Sequence, residues 1–249
     1  MHSRNQIIGF VLLLTSVAAL ILSLLFTGLK ETHQLNEAIY AKKAVLAAIQ
    51  NKLGIEPNSL STEKVEEIFQ NNIKQDVFDM SGGEVTSEQI EAAGYKGGKA
   101  EDIDMSKEAK KPEAERFIPM YTYTGDNGEK YYIISVRGKG LWDAIWGNIA
   151  FEEDLKTVAG VDFDHKGETP GLGAEIKDNT SWKKQFIGKT IYDAAGDYTG
   201  LDVIKGGAKD QSYQVDGISG ATITGDGVAE MLKRGIKYYE PVFNAIKKS

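Results

Sequence analysis

The sequence predicts a membrane anchor followed by a domain of mixed helices and strands, and three observations carry this. Ile7 to Leu29 is a run of 23 residues without a charge. As a helix it would be about 34 Å long, enough to cross the hydrocarbon core of a bilayer with some tilt. Phe117 to Thr124 and Lys130 to Val136 are aromatic and β-branched runs flanking Gly125-Asp126-Asn127-Gly128, the signature of a hairpin. Near the end of the chain Val228, Met231, Leu232, Ile236 and Tyr239 recur at helical spacing.

The 249 residues allow one large or two small domains and a sizeable core. A formal charge of -7 argues against a nucleic-acid partner, which would need a basic patch. The absence of cysteine removes disulfides, thiolate nucleophiles, iron–sulfur clusters and the usual structural zinc sites. His2, His33 and His165 stand too far apart in sequence to suggest metal ligands, so no metal site is expected. The 27 glycines point to many turns or close backbone approaches.

In chain order, the apolar run is too long for a secretory signal, whose apolar region spans about 7–15 residues. Gly28-Leu29-Lys30 is also a poor cleavage site, so residues 1–30 are expected to be a retained transmembrane anchor. Arg4 precedes the span, whereas Lys30, Lys42 and Lys43 follow it among Glu31 and Glu37, so the positive-inside rule barely decides its orientation. Residues 31–55 continue a helical pattern through Leu35, Ile39, Lys42, Leu46 and Ile49, giving a stalk or a packing helix that ends at Gly54. Residues 56–249 form the domain proper. There Ser61 caps a helix that begins with acids. Residues 81–112, rich in Gly, Lys, Glu, Ser and Ala, read as a solvated surface excursion with room for one short helix.

After the hairpin comes Gly138-Lys139-Gly140-Leu141-Trp142, with Trp146 four residues beyond Trp142. Tryptophans at this spacing are usually core residues, although the flanking glycines also suit the lining of a site. Val158 to Phe163 is a strand, Trp182 to Ile187 a short helix, and Asp202 to Ala208 a strand and turn. Pro241 ends the last long helix.

Two glycine-rich stretches carry the chemistry. In Glu168-Thr169-Pro170-Gly171-Leu172-Gly173, Pro170 holds Thr169 extended, and Gly171 and Gly173 allow a tight path whose N–H groups can hold an anion or border a flat ring. In Asp216-Gly217-Ile218-Ser219-Gly220-Ala221-Thr222, small residues lead to a hydroxyl at or just before a helix N-terminus, where unpaired N–H groups suit a phosphate. A helix-capping loop would use similar residues. Lys205 is either a partner for a phosphate or a solvent-facing lysine at a strand end.

The second stretch resembles the flavinylation motif of the FMN-binding domain family, Asp-x-x-Ser/Thr-Gly-Ala-Thr, and all six residues of the first accompany that motif in the family. The resemblance implies FMN joined by a phosphoester to Thr222, with Ser219, Gly220 and Ala221 shaping the acceptor loop. It implies a role for Asp216 in recognition or activation by the attaching transferase. Glu168, Thr169, Gly171, Leu172 and Gly173 are then expected beside the flavin, Trp142 at its flank and Lys205 near its charge. Attachment requires the hydroxyl to displace one half of a pyrophosphate, so it must be accessible.

With the anchor and Gly-Lys-Gly-Leu-Trp in the same order, most of the chain is similar to the C subunits of Na⁺-translocating NADH:quinone oxidoreductases. The G subunits of Rnf complexes share the threonine motif and the general layout. The resemblance implies an α+β fold on the periplasmic side of a bacterial inner membrane, held by a single transmembrane helix. It also implies partner subunits, above all the flavin-bearing B subunit, and a flavin transferase that uses FAD and Mg²⁺. The chain would relay electrons towards quinone without oxidising NADH itself, while the complex exports Na⁺. The sequence holds no strand–Gly-x-Gly-x-x-Gly–helix unit for NADH. A membrane-anchored assembly protein without cofactor and a separate FMN enzyme are the other classes this layout would fit.

Overall fold

The computed structural model describes residues 3–248. They fall into two units, one ending at Ala41 and one beginning at Lys42. Helix α1, Arg4–Ala47, contributes to both. Within the first unit it is long and apolar enough to cross a membrane. The hydroxyl of Thr15 is returned to its own helix, 2.9 Å from the Val11 carbonyl and 3.1 Å from that of Leu12, so it needs no outside partner in an apolar surrounding. The helix runs unbroken through Lys30, in keeping with the helical pattern that continues beyond the expected anchor. Its last six residues, from Lys42, belong to the second unit, where Val45, Leu46, Ala48 and Ile49 are buried.

The second unit continues through α2, Gln50–Leu53, which closes on Gly54 in the left-handed conformation. Helix α3, Thr62–Asn71, starts at the expected cap, with the Ser61 hydroxyl accepting from the Lys64 amide at 3.3 Å. Strand β1, Ile73–Asp79, precedes α4, Ser87–Ala92, and α5, Met105–Glu108. Strands β2, Phe117–Thr124, β3, Lys130–Lys139, β4, Ala144–Phe151, and β5, Val158–His165, complete an antiparallel sheet in sequence order. Short helices α6, Glu175–Asp178, and α7, Thr180–Lys184, follow, and then a parallel pair, β6, Asp202–Ile204, with β7, Gln214–Asp216. Helix α8, Thr222–Lys237, and α9, Glu240–Ile246, end the fold. This is the α+β class that the resemblance implied.

The alternation of strand side chains divides the core in two. Met120, Ile134, Val136, Ile145, Ile149 and Phe151 cluster with Val228, Met231, Leu232 and Ile236 of α8 and with Phe243 of α9. Tyr121, Ile133, Ala150 and Ala159 cluster with Val45, Leu46 and Ile49 and with Val65, Ile68 and Phe69 of α3. Helix α8 lies close on the first face: a side chain at Gly227 would place its Cβ 2.2 Å from the Lys139 carbonyl oxygen. That approach fixes where α8 begins, and therefore where Thr222 sits.

Several expectations change. Residues 81–112 are not a solvated excursion. Val85, Ile90, Tyr95, Ala100 and Ile103 are buried in the second cluster, and the Glu108 carboxylate is buried with Tyr95, Lys111 and the Phe117 amide around it. The apolar residues are too widely spaced to make a periodic signal, yet each falls on an inward position. Strand β4 has no strand signal in the sequence, because Trp146 and Gly147 within it continue a stretch that suits the lining of a site. Trp142 is 62% exposed rather than core, and Trp146 is half-buried beneath the Arg137 guanidinium. Pro241 follows the end of α8 as expected, but it also opens α9, where a proline in the first turn costs no hydrogen bond.

The Tyr239 hydroxyl lies between two strand carbonyls, 2.8 Å from that of Pro119 and 3.1 Å from that of Ser135. Tyr239→Phe removes the donor from both and is expected to cost about 1–3 kcal/mol. Urea unfolding of the detergent-solubilised chain checks this, and an unchanged midpoint would show that the hydroxyl does not hold the strands.

Candidate functional site

The site is built around one carboxylate. Glu168 follows β5 in a turn in which its own amide donates to His165 Nδ1 at 3.1 Å. Its side chain is buried and accepts from the Leu141, Trp142 and Asp143 amides at 3.3, 3.0 and 3.3 Å. It also accepts from the Thr224 hydroxyl at 2.6 Å. One side chain thus ties together the Gly-Lys-Gly-Leu-Trp loop, its own Thr-Pro-Gly loop and the first turn of α8. Burial acts to raise its pKa, but the Thr224 hydroxyl and the three amides outweigh that and hold it below the ordinary glutamate value.

Two loops touch beside this latch. Gly220 has φ of 80°, and a Cβ there would stand 2.5 Å from the Gly171 carbonyl oxygen, so only glycine suits both the conformation and the contact. Gly173 is equally confined, since a Cβ would fall 2.3 Å from Thr224 Oγ1. The amides of Gly171 and Gly173 were expected to face an anion or a ring. Both instead donate to the Glu175 carboxylate, which closes the loop on itself. These hydrogen bonds lower the Glu175 pKa.

The three hydroxyls in and just after the motif stretch have different circumstances. Thr224 is fully buried and donates to Glu168, with the Leu172 carbonyl at 3.2 Å as a second acceptor. Ser219 is exposed on the loop before the helix. Thr222 is half-exposed and is the first residue of α8, whose first turn has no side-chain cap. Its surroundings therefore combine access with unsatisfied helix-end amides, the combination that suits a phosphate ester.

Thr222 opens on a cleft of about 520 Å³. Lys205, Asp216, Ser219, Gly220 and Ala221 line it with Thr222, and so does Asp226, which sequence reasoning did not single out. Asp226 follows Thr222 by one helical turn and so shares its face. Asp216 is held from several sides. Its carboxylate accepts from the Ala208 amide at 2.8 Å, its carbonyl from the Trp182 indole at 2.6 Å, and its amide donates to Gln185 at 2.9 Å. This braces the Lys205-Gly206-Gly207 turn against the loop that bears Thr222. The volume lies within the range of cofactor clefts, and a cationic side chain lines the same cleft as the helix start, so the residues fit FMN.

Glu168, Thr169, Gly171, Leu172, Gly173 and Trp142 do not line this cleft. Glu168 and Gly173 are interior, and Thr169 is exposed, its carbonyl accepting from the Leu172 and Ala174 amides. Trp142, Leu172 and Ile223 are 62, 42 and 59% exposed. Each belongs to the latch or lies next to it: the Trp142 amide and the Leu172 carbonyl bond directly to it, and Ile223 precedes Thr224. Exposed large apolar side chains on rigid backbone suit the face of a flat ring. Thr224 and Glu175 were the other omissions. Glu175 gave no signal, whereas Thr224, two residues beyond the motif and preceding an apolar helix, carries the signal of a cap.

The sequence pattern of the FMN-binding domain family matches residues 140–237, a span that begins with the Gly-Lys-Gly-Leu-Trp loop and ends with α8. The chain is 36% identical over 242 residues to the C subunit of the Na(+)-translocating NADH-quinone reductase of Pseudomonas aeruginosa, covering 89% of this chain and 88% of that one. With the C subunit of the Vibrio parahaemolyticus reductase the identity is 34%, covering 91% and 88%. Among solved structures, the C subunit from Parabacteroides distasonis superimposes with a TM-score of 0.72 at 31% identity, covering 86% of this chain and 96% of that one. NqrC of Shewanella oneidensis gives 0.67 at 26%, covering 84% and 100%.

Glu168→Ala would leave three amides and the Thr224 hydroxyl without their acceptor and is expected to destabilise the domain by about 2–4 kcal/mol, read from chemical unfolding. The lowered pKa sets the pH dependence. Stabilisation from this group is full above its unfolded pKa, near the ordinary glutamate value of 4.5, and is lost as pH falls through the lower folded value. Between about pH 6 and pH 3.5 the wild type should therefore lose more stability than Glu168→Gln, and equal losses would count against the latch.

Proposed function

The chain belongs to the family of the C subunits of Na(+)-translocating NADH-quinone reductases, and from that premise we propose that it carries electrons through an FMN esterified to Thr222. Electrons arrive through membrane partners and pass to the flavin of the B subunit, and so towards quinone, while the complex exports Na⁺. The domain stands on the periplasmic side of the inner membrane, held by the apolar part of α1.

The observation that carries the attachment site is the sorting of hydroxyls. Thr224 is spent on Glu168, and Thr222 remains accessible at an uncapped helix start beside a cleft of cofactor size. When bound, FMN supplies the electron chemistry, and the protein supplies position, exposure and electrostatics. The first-turn amides of α8 face the phosphate, Lys205 offsets negative charge, and Asp216 and Asp226 oppose it. Ser219, Gly220 and Ala221 keep the approach to Thr222 free of bulk for a transferase. In the attachment step the Thr222 oxygen bonds to the FMN-side phosphorus of FAD, the pyrophosphate bond breaks, AMP leaves and the hydroxyl proton is released. A covalent tether suits a compartment where lost cofactor is not readily replaced.

Co-expression with a flavin transferase tests this. The denatured chain should keep flavin fluorescence on a gel, Ser219→Ala should retain it and Thr222→Val should lose it. Fluorescence persisting in Thr222→Val would move the bond elsewhere, and its absence from the wild type would favour an assembly protein without cofactor.

A further inference from the structure

Trp142, Leu172 and Ile223, the exposed apolar side chains beside the latch, come from three separate segments: the loop before β4, the loop after β5 and the first turn of α8. Each loop has its own closure. The Gly140 amide donates to the Asp143 carbonyl at 2.8 Å, and the Leu172 amide donates to the Thr169 carbonyl at 3.0 Å. Neither closure joins one segment to another.

Two side chains do the joining. Glu168 Oε1 accepts from the Trp142 and Asp143 amides, and Oε2 accepts from the Leu141 amide and the Thr224 hydroxyl. Thr224 Oγ1 also lies 3.2 Å from the Leu172 carbonyl. Among the described residues, this hydroxyl makes the only side-chain hydrogen bond from the first turn of α8 to either loop. The fit leaves no room for substitutes: a Cβ at Gly140 would stand 2.7 Å from Glu168 Oε1, and one at Gly173 would stand 2.3 Å from Thr224 Oγ1. Trp142 and Leu172 are thus fixed to Thr224 through backbone groups, and Ile223 adjoins it in sequence. Without the hydroxyl each loop keeps its own closure, but the helix start loses its bond to both.

The latch therefore has a use beyond stability. FMN esterified to Thr222 would hang on a flexible ribityl chain, so the ester alone does not orient the ring. A surface assembled in advance holds a ring without a further ordering cost. Where the ring rests also sets its electrostatic surroundings.

We propose that Thr224, acting through Glu168 and Leu172, is a positioning residue for the flavin. Its hydroxyl holds Trp142, Leu172 and Ile223 as one surface against which the ring is immobilised. The inference rests on esterification of FMN at Thr222 and gives Thr224 no part in the attachment itself.

The test uses the full chain, co-expressed with a flavin transferase and purified in detergent. Thr224→Val keeps the branched shape and removes the hydroxyl, whereas Thr224→Ser keeps the hydroxyl. Both variants should carry covalent flavin as the wild type does, because Thr222 is unchanged. Flavin fluorescence anisotropy is read at a temperature where melting curves show every chain folded. The wild type and Thr224→Ser should hold the ring rigidly. In Thr224→Val the anisotropy should fall at least twofold, and the flavin midpoint potential should move towards that of free FMN. A role confined to stability would lower the melting temperature and leave the folded chain's anisotropy unchanged, so equal anisotropy in Thr224→Val and the wild type would overturn the proposal. Should Thr224→Val not fold, Trp142→Ala removes an exposed side chain and keeps the amide that donates to Glu168; its anisotropy should fall likewise, and an undiminished value would overturn the proposal. A flavin that already rotates freely in the wild type would do the same. A wild type with no covalent flavin would overturn the esterification reading as well.

Discussion

The Glu168 carboxylate is the constraint on which the site depends. An ionised carboxylate out of water is costly unless its lone pairs are filled, and here three amides and a hydroxyl fill them. The arrangement is self-consistent only when three distant segments meet. Leu141 to Asp143, Glu168 itself and Thr224 are separated by up to 83 positions along the chain, from Leu141 to Thr224. The fold brings them together because β5 ends near the start of β4, and α8 returns across β3. A single buried charge therefore sets the register of the loops around the helix start.

The same arrangement separates two neighbouring threonines by burial and hydrogen bonding. Thr224 points inward and is consumed by the latch, which fixes the first turn of α8. Thr222, two residues earlier, is left on the open side of that turn. A reactive hydroxyl on a mobile loop would be accessible but poorly placed, whereas one buried in a helix would be placed but unreachable. The glycines at 220 and 173 serve this compromise by allowing backbone to approach backbone and side chain where any Cβ would collide. Opposite, Asp216 braces the turn that carries Lys205, so the far wall of the cleft is also held by hydrogen bonds.

Much of this was legible in the sequence because the chemistry is local. The charge-free span, the hairpin around Gly125 to Gly128, the Ser61 cap and the start of α8 beside Thr222 follow from short-range periodicity and turn chemistry. The two glycine motifs were legible as a candidate site, but the way their residues divide between latch and cleft was not. Whether a glutamate faces a ligand or knits three loops depends on contacts across 25 to 56 residues, which no local pattern encodes. Glu175 was invisible for the same reason, and its capture of the Gly171 and Gly173 amides reverses what the glycines alone suggested. Residues 81–112 misled because composition averages over positions. Their few apolar side chains are isolated in sequence, yet each is directed inward. Strand β4 was obscured by Trp142 and Trp146, which lie outside the main core.

The most direct test of attachment at Thr222 is tandem mass spectrometry of peptides from the native chain purified with its membrane partners. The peptide spanning Asp216 to Lys233 is expected to carry FMN phosphate, with fragment ions that localise it to Thr222 and leave Ser219 and Thr224 unmodified. Recovery of that peptide without flavin, or localisation of the adduct to Thr224, would contradict this.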